Sequence, residues 1–392
     1  GEGYDISIIN LSYSLYLFSL GMALKLKKRI FVLAGESSGD SLGSELIQAI
    51  KLKWPDADFT FWGGKEMSSA LGDQMPQVNL NELSVMGFLE VIKHIPRIMR
   101  QEKFLRNFLL DWNPNIVICI DYQTFNARLA RWISKIGLRK RGCKVFQIVS
   151  PQFWAWRYRR VYDLKKHFDA VFPLLPFESE LLESAGVNAP YFGHPVVNRI
   201  KNDTLADSGW VALLPGSRLQ EISRHVPIFL NSARKIGQPF KWVKPQSIQM
   251  SDYLKLLKTY SGEDFQSSEI VEGLNQIEGA SLAIVASGTA TLEMALKGIP
   301  QVVAYKTSWI SYFIAKSFIR VKFISLVNLI LKKNAVSELI QHHCKPKYLS
   351  HELTKLIDNP RTQSDICKDL KSKLDIGMDP MDMIAKYIIK DA

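Results

Sequence analysis

The stretch RIFVLAGESSGDSLGSELIQAIKL, residues 29–52, determines the fold class. It begins with a short apolar run that ends in small residues, which predicts a buried strand. The segment from Ser41 onward carries apolar residues at helical spacing, with Gly39 and Asp40 in the turn before it. A strand, a loop and a helix in this order form the repeating unit of a parallel α/β sheet.

The same unit recurs along the chain and predicts two α/β halves in tandem. Further strands are predicted in DADFTFWGG, PNIVICID, KVFQIVS and DAVFPLLP; after a polar stretch at 198–209, a second series begins with WVALLPGS. Such sheets bind ligands beyond the carboxyl ends of their strands, so the cleft between the halves is the expected site. The predicted units are an N-terminal domain at 29–200, a C-terminal domain at 201–370, and a helical tail at 371–392 that packs back on the N-terminal domain.

Residues 1–28 are predicted to be an extension that precedes the first domain. Residues 6–24 are uncharged and a basic run follows them, which is the reverse of a secretory signal. Several Ser and Asn side chains within the run disfavour a membrane-spanning helix. The remaining interpretations are an upstream extension with Met22 as the natural start, and a membrane-associating segment.

The composition limits the classes of protein to which the chain can belong. A chain of 392 residues with 47% hydrophobic and 22% charged residues is expected to fold into two domains and not into a multi-span membrane protein. The net charge of +12 favours anionic partners, whether nucleic acid, phosphorylated small molecules or a membrane surface. Four scattered cysteines without a CxxC pair indicate reduced thiols in a cytoplasmic protein, and no metal-ligand cluster is evident.

The segment ASGTATLE, residues 286–293, is the leading candidate for a phosphate site. A predicted strand meets a turn of small residues and then a helix, predicted to open at Thr291. Free amides at a helix N-terminus bind anions, and hydroxyl groups in the same turn add donors, while Glu293 can accept from ribose hydroxyls. The alternative is a capping box without a ligand. The turn and the start of the helix comprise Ser287, Gly288, Thr289, Ala290 and Thr291.

A second loop of this kind is LLPGSRLQEI, residues 213–222. A predicted strand enters a turn at Gly216 and Ser217, and Arg218 lies at the mouth of the next helix. A guanidinium there can contact phosphate in a two-pronged manner. The alternative is a surface arginine beside an ordinary capped helix.

Carboxylates follow two strands of the first half. AGESSGD, residues 34–40, is neither a Walker loop nor a GxGxxG motif, so it is not an ATP site. We assign its Glu36, Ser38, Gly39 and Asp40 to the acceptor side of the cleft, with Asp40 as a helix cap as the alternative. Asp121 ends the strand PNIVICID and is the candidate general base, again with a capping role as the alternative.

Two aromatic and basic stretches suit an anionic surface. Residues 150–167 interleave tryptophans with cations, as in sites for sugar phosphates or single-stranded nucleic acid. The absence of a helix-turn-helix, RRM or zinc pattern argues against nucleic acid. Residues 306–333 mix aromatic, aliphatic and basic residues, which predicts either a membrane-facing surface at Trp309, Tyr312 and Phe313 or a core helix and strand.

Taken in order, the motifs resemble those of the lipid-A-disaccharide synthases. They are AGESSGD, ELSVMGFLEVI, IDYQTFNARLA, SPQFWAWR, PFESE, GHPVVN, LLPGSRLQEI, ASGTATLE and FISLVNLI. The resemblance runs from about Arg29 to about Leu349. It implies a GT-B fold with two Rossmann-like domains around a cleft, and transfer of diacylglucosamine from UDP to diacylglucosamine 1-phosphate.

The resemblance also implies roles for particular residues. It places the diphosphate on 287–291, the ribose on Glu293, the leaving phosphate on Arg218 and catalysis on Asp121, and adds Gly216, Ser217 and Asn328 to the donor site. It implies no metal cofactor, a peripheral position on the cytoplasmic face of the membrane, and a homodimer.

The chain departs from the family pattern at a few positions. Thr124 stands where a second aspartate is usual, Lys65 and Glu66 replace a Pro-Arg or Pro-Lys pair, and Ser337 replaces a proline. None of these lies in the nucleotide loops. The competing interpretations are another UDP-sugar GT-B enzyme, either an N-acetylglucosamine transferase or a 2-epimerase, and a non-catalytic binder of UDP-sugar or nucleic acid.

Overall fold

The computed structural model describes residues 27–80, 88–152, 159–200, 209–246, 248–307 and 323–392. For residues 88–98 and Asn275 it describes the backbone only.

The first half of the chain contains a six-stranded parallel sheet. Its strand order is β3-β2-β1-β4-β5-β6, which is the order of a Rossmann sheet. The strands are β1 (Arg29–Ala34), β2 (Asp58–Gly63), β3 (Val78–Asn79), β4 (Ile116–Ile120), β5 (Lys144–Ile148) and β6 (Ala170–Phe172).

The second half repeats this topology. Its six strands are again parallel and, counted from β7, again follow the order 3-2-1-4-5-6. The strands are β7 (Trp210–Leu214), β8 (Phe240–Lys244), β9 (Ile270–Glu272), β10 (Ala280–Val285), β11 (Gln301–Tyr305) and β12 (Ser337–Ile340). The predicted fold class of two Rossmann-like α/β sheets is confirmed.

Helices cover the sheets and supply the crossovers that parallel strands require. Those of the first half are α1 (Ser37–Lys53), α2 (Lys65–Ala70), α3 (Phe88–Trp112), α4 (Gln123–Lys135), α5 (Arg160–His167), α6 (Pro176–Ser184) and α7 (Val196–Arg199). Those that follow are α8 (Leu219–Ile236), α9 (Met250–Ser261), α10 (Thr289–Leu296), α11 (Leu326–Leu331), α12 (Pro346–Asp358), α13 (Ile366–Leu374) and α14 (Pro380–Asp391).

The central strands are buried on both faces, which explains their continuous apolar runs. All five residues of β4 are fully buried, and β1 is buried from Ile30 onward. Side chains alternate along a strand, so Phe31 and Leu33 pack into one apolar cluster while Ile30 and Val32 pack into another on the opposite face.

The last helix of the chain returns to the first sheet. Helix α13 packs against α10 and α11 of the second half, whereas α14 packs against α1. Met381, Ile384 and Ile388 lie in the same apolar cluster as Ile30 and Val32. The chain therefore crosses between the two halves at 375–379.

The crossing segment lies beside the stretch that precedes α7. The amide of His194 donates to the carbonyl of Leu374 over 3.1 Å, and Asn198 Nδ2 donates to the Asp379 carboxylate over 3.1 Å. A side chain at Gly193, whose φ is +87°, would meet that same carbonyl of Leu374. These contacts tie the end of the first domain to the chain that returns to it.

Within the described residues, no helix combines the length and the apolar character needed to cross a membrane.

Replacing Ile384 with alanine tests the contribution of α14 to the first sheet. Ile384 is 2% exposed, so Ile384→Ala is expected to lower the free energy of unfolding by about 2–5 kcal/mol through lost burial and a cavity. Urea unfolding followed by circular dichroism measures this. Lys390→Ala, on an exposed position of the same helix, is the control; equal effects of the two substitutions would show that α14 does not contribute to the core.

Candidate active site

The candidate residues cluster where strand order reverses in each sheet. β1 neighbours β4 in the first sheet, and β7 neighbours β10 in the second. The crossovers that follow such a pair leave on opposite faces of the sheet, which opens a crevice at the carboxyl ends of the strands. The four loops that follow these strands carry Glu36, Asp121, Arg218 and Ser287, so both crevices hold predicted site residues.

Asp121 lies in a constrained turn directly after β4. Asp121 and Tyr122 both adopt the left-handed backbone region, with φ values of 48° and 46°, before α4 begins at Gln123. Such geometry is uncommon outside glycine and costs about 1–3 kcal/mol per residue. The alternative role of Asp121 as a helix cap is wrong, because Tyr122 is the N-cap residue and no side chain caps α4.

The carboxylate of Asp121 is partly buried among charges from both halves. Burial raises its pKa, and the nearby Glu36 carboxylate raises it further. A hydrogen bond of 3.2 Å from Gln123 Nε2 and the positive charge of Arg218 act in the opposite direction. Because Arg218 follows β7, the charges that act on the Asp121 carboxylate come from the loops of both sheets.

Gly35 allows the ring of Tyr122 to lie against the end of β1. A Cβ atom on Gly35 would lie only 2.2 Å from the nearest atom of the Tyr122 ring, which also stacks on Phe125 at 5.2 Å between centroids. The glycine is therefore needed for close approach of the β1 and β4 loops.

Buried amide side chains lie beneath the Asp121 turn, and sequence reasoning missed them. Asn126 Nδ2 donates to the Asp121 carbonyl over 2.6 Å and to Gln147 Oε1 over 3.1 Å. Both side chains are 1% exposed. Polar residues within the apolar strand KVFQIVS and the apolar face of α4 were the available signal.

The AGESSGD segment divides between the cleft and the interior. Glu36 and Ser38 are exposed, whereas Gly39 is buried with Ala34 and Ile120 around it. Asp40 is 4% exposed and accepts from the amides of Gly64 and Glu66 at 2.7 and 2.9 Å. The assignment of Asp40 to the acceptor is corrected, because its carboxylate caps the neighbouring helix α2 and does not reach the cleft.

The ASGTATLE loop begins its helix earlier than predicted. Helix α10 starts at Thr289 and not at Thr291, with Gly288 as N-cap residue at φ +134°. The hydroxyl of Ser287 donates to the Ile324 carbonyl over 3.0 Å, while Gly288 and Thr289 are exposed. The first amides of a helix have no intrahelical partner, so those of Thr289 and Ala290 are the donors available to an anion.

Thr291 does not present its hydroxyl to the cleft. It is fully buried, and its Oγ1 donates to the Gly288 carbonyl over 2.7 Å. The prediction that its hydroxyl contacts phosphate is corrected, since that hydroxyl is used to shape the turn.

Glu293 lies one turn into α10, close to a cation of the first half. Burial raises its pKa, and the positive charges of Arg199 and Lys297 oppose that rise. Arg199 also forms an ion pair of 2.6 Å with Glu45 of α1. Glu293 is therefore placed near the junction of the two halves.

Asn328 is a buried support and not a surface contact. Its Nδ2 donates to the Val336 carbonyl and to Glu338 Oε1 at 2.9 and 2.8 Å, and its Oδ1 accepts from the amides of Ala335 and Val336. The residue is 0% exposed. The predicted direct contact of Asn328 with the sugar-nucleotide donor is therefore wrong. Its role is indirect, because its partner Glu338 also accepts from the Ile324 amide behind Ser287.

The LLPGSRLQEI segment forms the predicted strand, turn and helix. Gly216 has φ +113°, and Arg218 is the exposed N-cap residue of α8. The carboxylate of Glu221 accepts from the amides of Ser217 and Arg218 at 3.2 and 3.4 Å. The amides of Ser217 and Arg218 are thus already bonded within the loop, and the exposed Arg218 guanidinium is placed to meet a phosphate.

His225 joins this loop to the end of β11, a role that the sequence did not reveal. Its Nδ1 bonds the Pro215 carbonyl at 2.8 Å, and its Nε2 accepts from the Lys306 amide at 2.9 Å. Burial lowers the pKa of His225 to about 4. A neutral imidazole with Nδ1 protonated fits both bonds and fixes the spacing of the two loops.

Some predicted residues lie outside the described part of the chain. Trp309, Tyr312 and Phe313 are among them. The described remainder of that stretch includes α11, whose Val327 and Ile330 are buried in an apolar cluster, as the core interpretation predicts.

Two Rossmann-ordered sheets, each with predicted site residues at its switch point, form the GT-B fold. The structure of UDP-GlcNAc 2-epimerase from Neisseria meningitidis bound to UDP-GlcNAc matches with a TM-score of 0.59 at 13% identity. The match covers 93% of this chain and 100% of that one, and it shows a shared fold.

Sequence comparison then identifies the family. The lipid-A-disaccharide synthetase family matches residues 30–389. Lipid-A-disaccharide synthase 1 of Legionella pneumophila (strain Lens) is 32% identical, with 87% of this chain and 91% of the relative covered. The synthase of Myxococcus xanthus is 35% identical, with 84% and 88% covered. The chain belongs to the lipid-A-disaccharide synthase family and is a glycosyltransferase that makes the lipid A disaccharide.

A double-mutant cycle between Gly35 and Tyr122 tests the close approach of the β1 and β4 loops. Gly35→Ala is expected to lower the free energy of unfolding by about 1–3 kcal/mol, because the new methyl group overlaps the tyrosine ring. In a Tyr122→Ala background the same substitution should cost much less. Urea unfolding of the four proteins gives the coupling; a penalty that is equal in both backgrounds would contradict the contact.

Proposed function

We propose that this cleft joins UDP-2,3-diacylglucosamine to 2,3-diacylglucosamine 1-phosphate, giving the β-1,6-linked disaccharide 1-phosphate and UDP. The observation that carries the proposal is the position of Asp121. Its partly buried carboxylate follows β4 and lies near Glu36, and the positive charge of Arg218 in the opposite half lowers its pKa. A base on one side of a cleft and a phosphate-binding cation on the other suit transfer of a sugar from a nucleotide.

In the proposed complex the donor nucleotide lies on the second sheet. The amides of Thr289 and Ala290 and the backbone at Gly288 hold the diphosphate, and Ser287 fixes the turn through its bond to the Ile324 carbonyl. Glu293 accepts from the ribose hydroxyls. Arg218 meets the leaving phosphate, on a loop whose turn at Gly216 and Ser217 is held by Glu221.

The reaction is proposed as a single displacement. Asp121 takes the proton of the acceptor 6-hydroxyl while that oxygen attacks the anomeric carbon, and the bond to the UDP oxygen breaks with inversion. The raised pKa of Asp121 makes it a stronger base than an ordinary aspartate. The α10 amides and Arg218 stabilise the negative charge that develops on UDP. The proposal includes no metal cofactor.

The rival UDP-sugar activities are not favoured. The family match extends over residues 30–389, whereas the likeness to the 2-epimerase is 13% identity and concerns the fold. Activity with diacylated sugars and not with UDP-N-acetylglucosamine would separate the two possibilities.

We also propose peripheral attachment to the cytoplasmic face of the membrane. Diacylated substrates reside in a bilayer, and a net charge of +12 favours an anionic surface. Within the stretch at 306–333, Trp309, Tyr312 and Phe313 are the proposed contact. A homodimer, which the family resemblance implies, stays a prediction.

Asp121→Asn tests the base. The substitution keeps the size of the side chain but removes its proton affinity, so kcat is expected to fall by about 10²- to 10⁴-fold. The measurement is release of UDP together with the mass of the disaccharide, from purified diacyl donor and acceptor. Near-full turnover by a folded Asp121→Asn enzyme would refute the assignment.

The pH profile of Glu36→Gln is a further check on the same pair. A carboxyl group with a raised pKa loses activity, as its base form disappears, at a higher pH than an ordinary aspartate does. Removing the Glu36 charge is expected to shift the acidic limb of kcat to lower pH, because one cause of the raised Asp121 pKa is gone. If the acidic limb stays at its wild-type pH, Glu36 does not raise the pKa of Asp121.

Flotation with liposomes tests the membrane surface. Wild-type protein is expected to float with vesicles containing phosphatidylglycerol, and Trp309→Ser with Phe313→Ser is expected to reduce the floated fraction severalfold. Tyr162→Ser, which changes an exposed aromatic residue on α5, serves as the control. Equal flotation of all three proteins would show that residues 309–313 do not contact the membrane.

A further inference from the structure

The Asp121 turn requires support that its own sequence does not provide. Asp121, Tyr122 and Val149 all have positive φ, and Val149 is β-branched, a type of residue that rarely adopts this region. The three residues directly follow the adjacent strands β4 and β5. Left-handed backbone at non-glycine residues persists where the surroundings fix it.

A chain of amide hydrogen bonds connects these strand ends. Asn126 Nδ2 bonds the Asp121 carbonyl at 2.6 Å and Gln147 Oε1 at 3.1 Å. Gln147 Nε2 in turn donates to the carbonyls of Ile148 and Val149, both at 3.0 Å. The amide of Asp121 closes the set by donating to the Ile148 carbonyl over 3.0 Å.

Neither amide side chain reaches the cleft. Asn126 and Gln147 are each 1% exposed, whereas Gln123, which bonds the Asp121 carboxylate directly, is partly exposed. Their donors point to backbone carbonyls of the two strained strand ends. The Asn126 Nδ2 and Gln147 Nε2 donors are all bonded, and each would lose its full bond in a low-dielectric interior on leaving its partner, so these donors hold the strand ends in place.

We propose that Asn126 and Gln147 are positioning residues for the glycosyl transfer, which fix the Asp121 carboxylate in the cleft through the backbone of its turn. The proposal rests on the assignment of Asp121 as the general base. Asn126 pulls the Asp121 carbonyl toward the interior, and that sets the direction in which the side chain leaves the turn. Gln147 holds Asn126 and the Val149 turn in register, so the two strand ends move together.

Asn126→Ala and Gln147→Met test this pair. Both remove the amide donors while leaving every side chain of the cleft in place. A displacement of about 1 Å at a reacting group can cost 10²-fold in rate, so kcat is expected to fall by about 10- to 100-fold. The KM for the UDP donor, which binds the other half, is expected to stay within about twofold.

The pH profile separates positioning from a general loss of structure. When the turn relaxes, the Asp121 carboxylate gains water, and the acidic limb of kcat is expected to move to lower pH. Ser179→Ala is the matched control, since its buried hydroxyl donates to the Ala189 carbonyl over 2.6 Å elsewhere in the same half. It should lower thermal stability without moving kcat or the limb.

Three results would overturn the proposal. They are wild-type kcat in folded Asn126→Ala and Gln147→Met, a fall in kcat with an unmoved acidic limb, and effects no different from those of Ser179→Ala. If Asn126→Ala does not fold, Asn126→Ser keeps a shorter donor and is read in the same way. Asp121→Asn is assayed in parallel: full activity there refutes the base itself, whereas an inactive Asp121→Asn beside a normal Asn126→Ala refutes the positioning pair alone.

Discussion

The pairing of β1 with β4, and of β7 with β10, is the constraint on which the rest of the molecule depends. In a parallel sheet each crossover must return over one face, and where strand order reverses the helices leave to opposite faces. The strand ends at that point are left uncovered. Because both sheets have this order, the protein has two such openings, and the side chains that follow these four strands can meet a substrate.

Polar side chains buried beneath these openings hold the loops of the site in place through hydrogen bonds. His225 bonds the Pro215 carbonyl and the Lys306 amide, and so ties the ends of β7 and β11. Asn328 donates to Glu338 behind the loop of Ser287, and the Ser287 hydroxyl donates to the Ile324 carbonyl. A buried polar group stabilises a structure when all its hydrogen bonds are made and destabilises it when they are not. Each of these buried side chains therefore favours the one loop arrangement in which its bonds are complete.

Electrostatics links the two halves across the cleft. The charge of Arg218 in the second half acts on Asp121 in the first, and the charge of Arg199 in the first half acts on Glu293 in the second. Asp121 and Glu293 are partly buried, which raises their pKa and strengthens their interactions with opposite charge. A nucleotide with its phosphates between these groups would meet cations on one side and a base on the other.

The sequence alone determined the α/β class, the two-half organisation, the family and the loops at 216–218 and 286–290, because apolar periodicity and turn chemistry are local properties. The tertiary structure decided which side chains of those motifs reach the cleft. Asp40 matched a site motif, yet its carboxylate caps a helix from another part of the chain. Asn126 stands out in the sequence only as a polar residue on an apolar helix face, and its role could not be predicted from that, since its partners become neighbours only when β4 and β5 pair.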